Sequence, residues 1–147
     1  MILVHASCVA IDGRGVLLRG PSGVGKSDLA LRLIDRGAQL VADDQCEIAA
    51  EGERVIARPP PALAGMIEAR GVGIVKLAFL AEIPLALVAD LVPPDQVERL
   101  PEPETAQLCG IALPLLKIDP FPASAPAKLL LALAVAAGNA ESIMRPR

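Results

Sequence analysis

The stretch Gly20-Pro21-Ser22-Gly23-Val24-Gly25-Lys26-Ser27 decides how this chain folds. It satisfies the phosphate-loop pattern G-x-x-x-x-G-K-[ST] at every fixed position. The run 16–18 before it suits a buried strand, and residues 28–36 after it form an amphipathic helix pattern that a glycine ends. A strand, a glycine loop and a helix together point backbone N–H groups and a helix N-terminus at phosphate. The sequence therefore predicts a nucleotide or a related phosphate ligand, with Lys26 at the β/γ-phosphates and Ser27 on Mg²⁺.

Composition limits the class of protein. The 147 residues predict a single domain over 1–147, and the 53% hydrophobic content predicts a globular chain. A net charge of −3 without a basic stripe argues against nucleic acid as a partner. No apolar run approaches the ~20 residues of a membrane helix, and the N-terminus lacks the basic region of a signal peptide. Together with three scattered cysteines, these features predict a cytoplasmic protein with reduced thiols and no membrane partner.

Two absences bear on nucleotide recognition. The chain has no Trp, no Tyr and two Phe, so few aromatic side chains are available to stack on a base, and we expect the base to be read weakly. Its single Asn, Asn139, is followed by Ala140-Glu141 and cannot start an Asn-Lys-x-Asp motif. The missing motif argues against a Ras-like GTPase.

The remaining pattern predicts an α/β fold. Glycine turns and apolar runs predict strands over 2–10, 16–19, 38–42, 74–77, 84–91 and 111–118, and a hairpin over 47–56. Pro114 predicts an edge or bulge for the last strand, and residues 84–91 predict a central one. Residues 62–69 suit a short helix, and 93–104 suit a surface loop. A final helix has Ser124 as predicted N-cap, Pro126 in its first turn, the run 128–137 and Gly138 as its stop.

Acidic residues provide candidates for the chemistry. Asp43 and Asp44 follow the strand 38–42, at the strand end where α/β sheets bind ligands. A carboxylate there can hold Mg²⁺ or accept a hydroxyl proton, and neighbouring side chains point to different sides, so we expect one of the two to face the phosphate. Glu68 stands beside a glycine loop and can approach a metal. Spacing alone leaves open a solvated acidic turn for the aspartates and a surface position for Glu68.

His5 and Arg99 carry a weaker signal. The only histidine, His5, lies on a predicted strand, where a hydrogen-bonded core role is the commoner one. Arg99 lies in the acidic loop 93–104, where a solvated charge is commoner. The cysteines have no neighbouring base and are assigned no role.

Four segments together resemble the bacterial HPr kinase/phosphorylase family. These are Val4-His5, the phosphate loop 20–27, Arg36-Gly37-Ala38-Gln39-Leu40-Val41-Ala42-Asp43-Asp44, and Ile67-Glu68-Ala69-Arg70-Gly71-Val72-Gly73-Ile74. The similarity covers the family's C-terminal catalytic domain, without the N-terminal domain of many members. It implies a P-loop kinase domain with a mixed β-sheet flanked by helices. It also implies an ATP- and Mg²⁺-dependent serine kinase acting on HPr, the phosphocarrier of the sugar phosphotransferase system, that can also remove the phosphate by phosphorolysis.

The resemblance also implies roles for individual residues. Lys26 would handle the transferred phosphate, and Ser27 and Glu68 would bind Mg²⁺. Asp44, in preference to Asp43, would be the acid–base group.

Two further residues match the family pattern by position. His5 matches the family's active-site histidine and Arg99 its catalytic arginine. The final helix resembles the one that contacts HPr, and family members form hexamers, so a homo-oligomer is expected.

Three departures from the family pattern stand out. Ala6 replaces a glycine and Pro21 replaces an aspartate. The segment before the last helix, which in the family usually contains a lysine and a Gly-Arg-Asn run, here reads Phe121-Pro122-Ala123-Ser124-Ala125-Pro126-Ala127-Lys128. The third predicts weakened phosphorolysis.

Two alternatives differ in chemistry. A small-molecule kinase would need an arginine-rich lid, whereas the loop 93–104 offers only Arg99. A non-catalytic nucleotide-sensing regulatory domain would not need Asp43, Asp44, Glu68 and Arg99 together.

Overall fold

A computed structural model describes residues 1–143. Residues 144–147, the end of the predicted single domain 1–147, lie outside the described residues. The elements within 1–143 are β1 (Ile2–Val4), β2 (Ala6–Ile11), β3 (Arg14–Arg19), α1 (Lys26–Asp35), β4 (Gln39–Ala42), β5 (Cys46–Glu51), β6 (Arg54–Arg58), β7 (Met66–Ala69), β8 (Gly73–Lys76), β9 (Ile83–Leu91), β10 (Glu104–Leu108), β11 (Ile111–Ile118) and α2 (Ala125–Ala136). Neither helix of this part of the chain has the length and apolarity needed to cross a membrane.

Nine strands form one mixed sheet. Its main order is β1-β5-β6-β9-β3-β2-β4, and β11 joins β9 and carries β10. Strand β9 runs parallel to β3 and β11 and antiparallel to β6, so it is central as predicted. The strands β7 and β8 form a separate hairpin. The predicted α/β class with a mixed sheet and flanking helices is confirmed.

The two faces of the sheet bury two different hydrophobic clusters. Leu17 on β3 points into one cluster with Cys8 and Val88, all of them fully buried. Its neighbour Leu18 points into the other cluster, which contains Leu29 of α1 and buried side chains of α2. Because alternate residues of a strand face opposite sides, burial on both faces explains the continuous apolar runs of β3 and β9.

Residues 2–10 do not form the single predicted strand. The chain bends at His5, and β1 pairs with β5, whereas β2 pairs with β3 and β4. His5 therefore lies between two strands with different partners. An alternating apolar pattern carries no information about this change of partner.

The predicted helix over 62–69 is also wrong. The structure has a short 3-10 turn at Pro61–Leu63, a left-handed Gly65 with φ of 78°, and then β7. Pairing of β7 with β8 satisfies its backbone, so tertiary contacts override a weak local helix propensity.

The last strand is only partly at an edge. Residues 115–118 of β11 pair with β9, so the predicted edge position is wrong for them. Pro114 lies in the stretch that pairs with β10 alone, where a missing N–H is tolerated. Strand β10 was not expected.

Helix α2 begins at Ala125 with Pro126 in its first turn, as the predicted N-cap at Ser124 implied. Ser124 occupies the N-cap position, but its side chain makes no capping hydrogen bond there. Gly138 follows the helix with φ of 78° and ends it as expected.

Candidate functional site

The phosphate loop leaves the sheet at a fixed point. Arg19, the last residue of β3, forms two hydrogen bonds with Asp90 on the neighbouring β9: Nε to Oδ1 at 2.7 Å and Nη2 to Oδ2 at 3.0 Å. Such a two-point pair between guanidinium and carboxylate adds geometric specificity to its energy. It fixes the strand end immediately before Gly20. The pair joins residues 71 positions apart, and no local pattern in the sequence indicates it.

Two loop glycines cannot be replaced without strain. A Cβ on Gly20 would lie 2.6 Å from Val24 Cγ1, closer than such atoms approach. Gly25 precedes α1 with φ of 107°, a conformation that L side chains rarely adopt. These positions explain why the loop pattern requires glycine at both.

Lys26 lies inside the loop. Its side chain is buried, and Nζ donates hydrogen bonds to the carbonyl oxygens of Gly20 at 2.6 Å and Pro21 at 3.1 Å. The ammonium group therefore stands in the concavity of the loop, with acceptors that an anionic ligand can replace.

Asp43 joins three elements behind the loop. Its Oδ1 accepts hydrogen bonds from the hydroxyls of Ser7 at 2.9 Å and Ser27 at 2.6 Å, and its Oδ2 accepts one from the backbone N–H of Glu68 at 3.0 Å. These bonds tie β2, α1 and β7 to the end of β4. Ser7 was missed from the sequence; a buried serine in an apolar strand is the signal that could have indicated it, since a buried hydroxyl needs a partner.

Asp44 makes different contacts from those of Asp43. Its backbone N–H donates to Ser7 Oγ at 3.1 Å, and its φ of 65° lies in the left-handed region, which Asp adopts more readily than most residues. Asp44 lines a cleft of about 510 Å³, the phosphate-loop cleft, together with Lys26, Ser27 and Glu68. Asp43 does not line this cleft. Asp43 therefore supports the loop, whereas Asp44 lines the cleft.

The donors of this cleft suit Mg²⁺ bound to phosphates. Residues 1–143 contain no cluster of three or more His, Cys, Asp or Glu that could hold a metal by itself. Protein sites for Mg²⁺ typically supply one or two carboxylates and take the other ligands from water and substrate phosphates. The hydroxyl of Ser27 and the exposed carboxylate of Glu68 form such a set at the loop.

Two residues with predicted catalytic roles lie outside the phosphate-loop cleft. His5 is exposed in the bend between β1 and β2, two residues before Ser7. Arg99 is exposed and lines a second cleft of about 680 Å³, formed by the loop 96–104, β11 and α2. Lys117 and Lys128 also line this second cleft. The roles of His5 and Arg99 stay predictions.

The cysteines belong to the core and its rim, as free thiols. Burial raises the pKa of the Cys8 thiol well above its ordinary value, and the neighbouring Cys46 thiol adds to the rise. A neutral, buried thiol is a poor nucleophile.

Comparison with known proteins identifies the family. The HPr Serine kinase C-terminal domain matches residues 1–142. The HPr kinase/phosphorylase of Geobacillus thermodenitrificans is 41% identical over 131 residues, which cover 81% of this chain and 42% of that protein. The corresponding protein of Lacticaseibacillus casei is 34% identical over 147 residues, covering 92% of this chain and 46% of that protein. The chain thus spans less than half the length of these curated relatives.

A solved structure matches the fold of this chain. The HPr(Ser) kinase/phosphatase of Coxiella burnetii superposes with a TM-score of 0.79 at 29% identity, covering 94% of this chain and 90% of that chain. The family match covers almost the whole sequence, and the solved structure superposes on almost the whole chain. The similarity therefore extends well beyond the phosphate loop. The chain belongs to the HPr serine kinase C-terminal domain family.

Proposed function

We propose that this chain is an ATP- and Mg²⁺-dependent serine kinase that phosphorylates HPr, the phosphocarrier of the sugar phosphotransferase system. The observation that carries the proposal is the convergence of Lys26, Ser27, Asp44 and Glu68 on one cleft at the phosphate loop. The names of the relatives, HPr kinase/phosphorylase and HPr(Ser) kinase/phosphatase, support the choice of substrate.

The triphosphate of ATP binds along the loop 20–27. Backbone N–H groups and the N-terminus of α1 attract the phosphates, and Lys26 Nζ exchanges its two loop carbonyls for oxygens of the transferred group. Ser27 and Glu68, with Asp43 holding the Ser27 hydroxyl, provide the site for Mg²⁺. A Mg²⁺ ion held there would supply positive charge to offset the negative charge that develops on the transferred phosphoryl group.

Asp44 is the general base. Its carboxylate faces the cleft and makes no hydrogen bond to another part of residues 1–143, whereas the carboxylate of Asp43 already accepts three. Asp44 accepts the serine proton as the serine oxygen attacks the γ-phosphorus and the bond to the ADP oxygen breaks. The products are phosphoserine and ADP.

His5 and Arg99 keep the roles implied by family position, as proposals. Both lie outside the phosphate-loop cleft of the single chain, and we propose that the protein substrate or a second copy of the chain brings them to it. We place the reaction in the cytoplasm and assign the active form as a homo-oligomer, a hexamer by resemblance, with HPr docking near α2.

The test combines purified HPr, labelled ATP and Mg²⁺, with and without the protein. The proposal expects label on a serine of HPr, and the Lys26→Ala variant should lose it. Transfer of label to a small molecule instead would favour a small-molecule kinase. Saturable ATP binding without transfer to any acceptor would favour the nucleotide sensor, and either result would overturn the protein-kinase assignment.

A further inference from the structure

One of the two phenylalanines of the chain lies at the phosphate loop. Phe121 lines the phosphate-loop cleft with Gly25, Lys26 and Leu31. Its Cε1 lies 3.8 Å from the position that a Cβ on Gly25 would occupy, so the ring edge stands directly beside the loop. The side chain is nonetheless 73% exposed. A large apolar ring at a ligand cleft leaves much apolar surface for that ligand to cover.

The backbone around Phe121 is held on both sides. Arg32 of α1 donates hydrogen bonds to the carbonyl oxygens of Pro120 and, at 3.4 Å, Pro122. Its Nε also donates to Asp28 at 3.0 Å, which fixes the guanidinium on the helix that begins at the loop. The N–H of Phe121 itself donates to Asp119 Oδ1 at 3.1 Å. The ring is therefore presented to the cleft by a segment that is anchored to α1.

The chemistry of the ring suits a nucleobase. Every base has a π-face, and stacking on an aromatic side chain contributes to affinity without requiring a particular base. Within residues 1–143, the other aromatic residue is Phe79, which packs near Gly65 and does not line this cleft. Phe121 is thus the aromatic platform that the described chain offers beside its phosphate loop.

We infer that Phe121 stacks on the base of the bound nucleotide and that Arg32 positions it. The inference rests on the proposed nucleotide-dependent function and adds to it the group that contacts the base.

The chain contains no Trp and no Tyr, so one tryptophan gives a site-specific signal. In Phe121→Trp, ATP and GTP with Mg²⁺ should change the indole emission on binding, whereas inorganic tripolyphosphate, which lacks a base, should bind without that change. Phe79→Trp, the matched control outside the cleft, should respond to none of the three.

Affinity provides the second measurement. Phe121→Ala should weaken ATP binding by about five- to 150-fold, the range measured for aromatic stacking on a base, and should leave tripolyphosphate binding unchanged. Phe121→Leu, which keeps an apolar side chain without a π-face, should lose most of the same affinity. Equal weakening of ATP and tripolyphosphate would overturn the inference, because the ring would then support the loop and not the base.

Two other results would also overturn it. If Phe121→Ala binds ATP normally but raises the KM for HPr, the ring docks the protein substrate, and the kinase function stands. If the unaltered protein binds neither ATP nor tripolyphosphate, the inference and the proposed function fail together.

Discussion

The phosphate-loop cleft and the second cleft differ in how firmly their surroundings are held by hydrogen bonds, and their sizes do not show this. The second cleft is the larger, about 680 Å³ against about 510 Å³, and it contains Arg99, Lys117 and Lys128. Around the smaller cleft, β2, β4, α1 and β7 are joined by hydrogen bonds that meet at Asp43. In the larger cleft, Lys117 and Glu104 form an ion pair at 3.7 Å with both side chains nearly half exposed. Such exposed pairs contribute about 0–1 kcal/mol.

The difference favours the phosphate-loop cleft as the candidate active site, because its groups are held in place by hydrogen bonds, although the second cleft is larger. Catalysis by electrostatic stabilisation requires donors that are already in place before the reaction. Ser27 is held by Asp43, and Lys26 is buried in its own loop. Matched substitutions in the two clefts test whether groups that are held in place before the reaction matter more for activity than exposed charges.

The largest effect is expected at Asp44. If it is the general base, Asp44→Asn should slow the chemical step by about 10²–10⁴-fold, with little change in ATP affinity, because the carboxylate faces the cleft and does not hold the loop. Single-turnover transfer to HPr measures this rate. Glu104→Gln, an acid of the second cleft, is the matched control and should transfer at nearly the normal rate.

Asp43→Asn separates the two neighbouring carboxylates. It should lower the free energy of unfolding, since charged hydrogen bonds contribute about 1.5–3 kcal/mol and neutral ones less, whereas Asp44→Asn should not. If Asp43→Asn alone slows the chemical step while the protein stays equally stable, the base is Asp43. If neither variant slows it, the acid–base role fails.

The next effect is expected at Lys26. Lys26→Ala should reduce phosphoryl transfer by about 10²–10³-fold, equivalent to ~3–4 kcal/mol of transition-state stabilisation. Steady-state rates with HPr measure the loss, and circular dichroism checks the fold. Lys117→Ala removes the same charge from the second cleft and should leave the rate within a few fold. Near-normal activity of Lys26→Ala would contradict the assignment of the phosphate loop as the active site.

The sequence predicted the parts of the site that are local. The strand, glycine loop and helix are consecutive, and Asp43 and Asp44 directly follow a strand, so pattern alone located them. The neighbouring glycine loop and the family resemblance both indicated Glu68, which the structure brings to the same cleft. Each of these predictions depends on residues within one or two neighbouring elements.

What the sequence did not predict depends on contacts between distant residues. Ser7 meets Asp43 across 36 positions, and Arg32 meets Pro122 across 90. Such pairs depend on which strands become neighbours, and short-range periodicity does not contain that information. The same cause explains the wrong helix over 62–69, where pairing with β8 decides the conformation.

Another prediction concerns the direction of the reaction. Phosphorolysis needs inorganic phosphate held beside the phosphoserine by additional donors. In residues 121–128, Pro122 and Pro126 lack an N–H, and the only cation, Lys128, lines the second cleft. The carbonyl oxygens of Pro120 and Pro122, which are acceptors, bind Arg32.

Loss of one charged hydrogen bond costs roughly 1.5–3 kcal/mol, so the reverse rate should be about ten- to a hundredfold below the forward rate. Pyrophosphate release from phosphoserine-HPr at saturating phosphate, set beside the kinase rate of the same preparation, measures the ratio. Comparable rates would contradict the prediction, because the missing donors of residues 121–128 would then not limit the binding of phosphate.

The smallest expected effect is the choice between nucleotides. The phosphate-loop cleft offers the base a ring face at Phe121, and within residues 1–143 its other lining residues are small, aliphatic or charged. Because stacking depends on the π-face and not on the base edge, ATP and GTP should bind within about tenfold of each other, under ~1.4 kcal/mol. Direct titration of both nucleotides measures the ratio, and Phe121→Leu should weaken both while leaving the ratio unchanged. A hundredfold preference for either nucleotide would contradict this, because it would require donors or acceptors at the edge of the base. A change of the ratio in Phe121→Leu would show that the ring itself distinguishes the two bases.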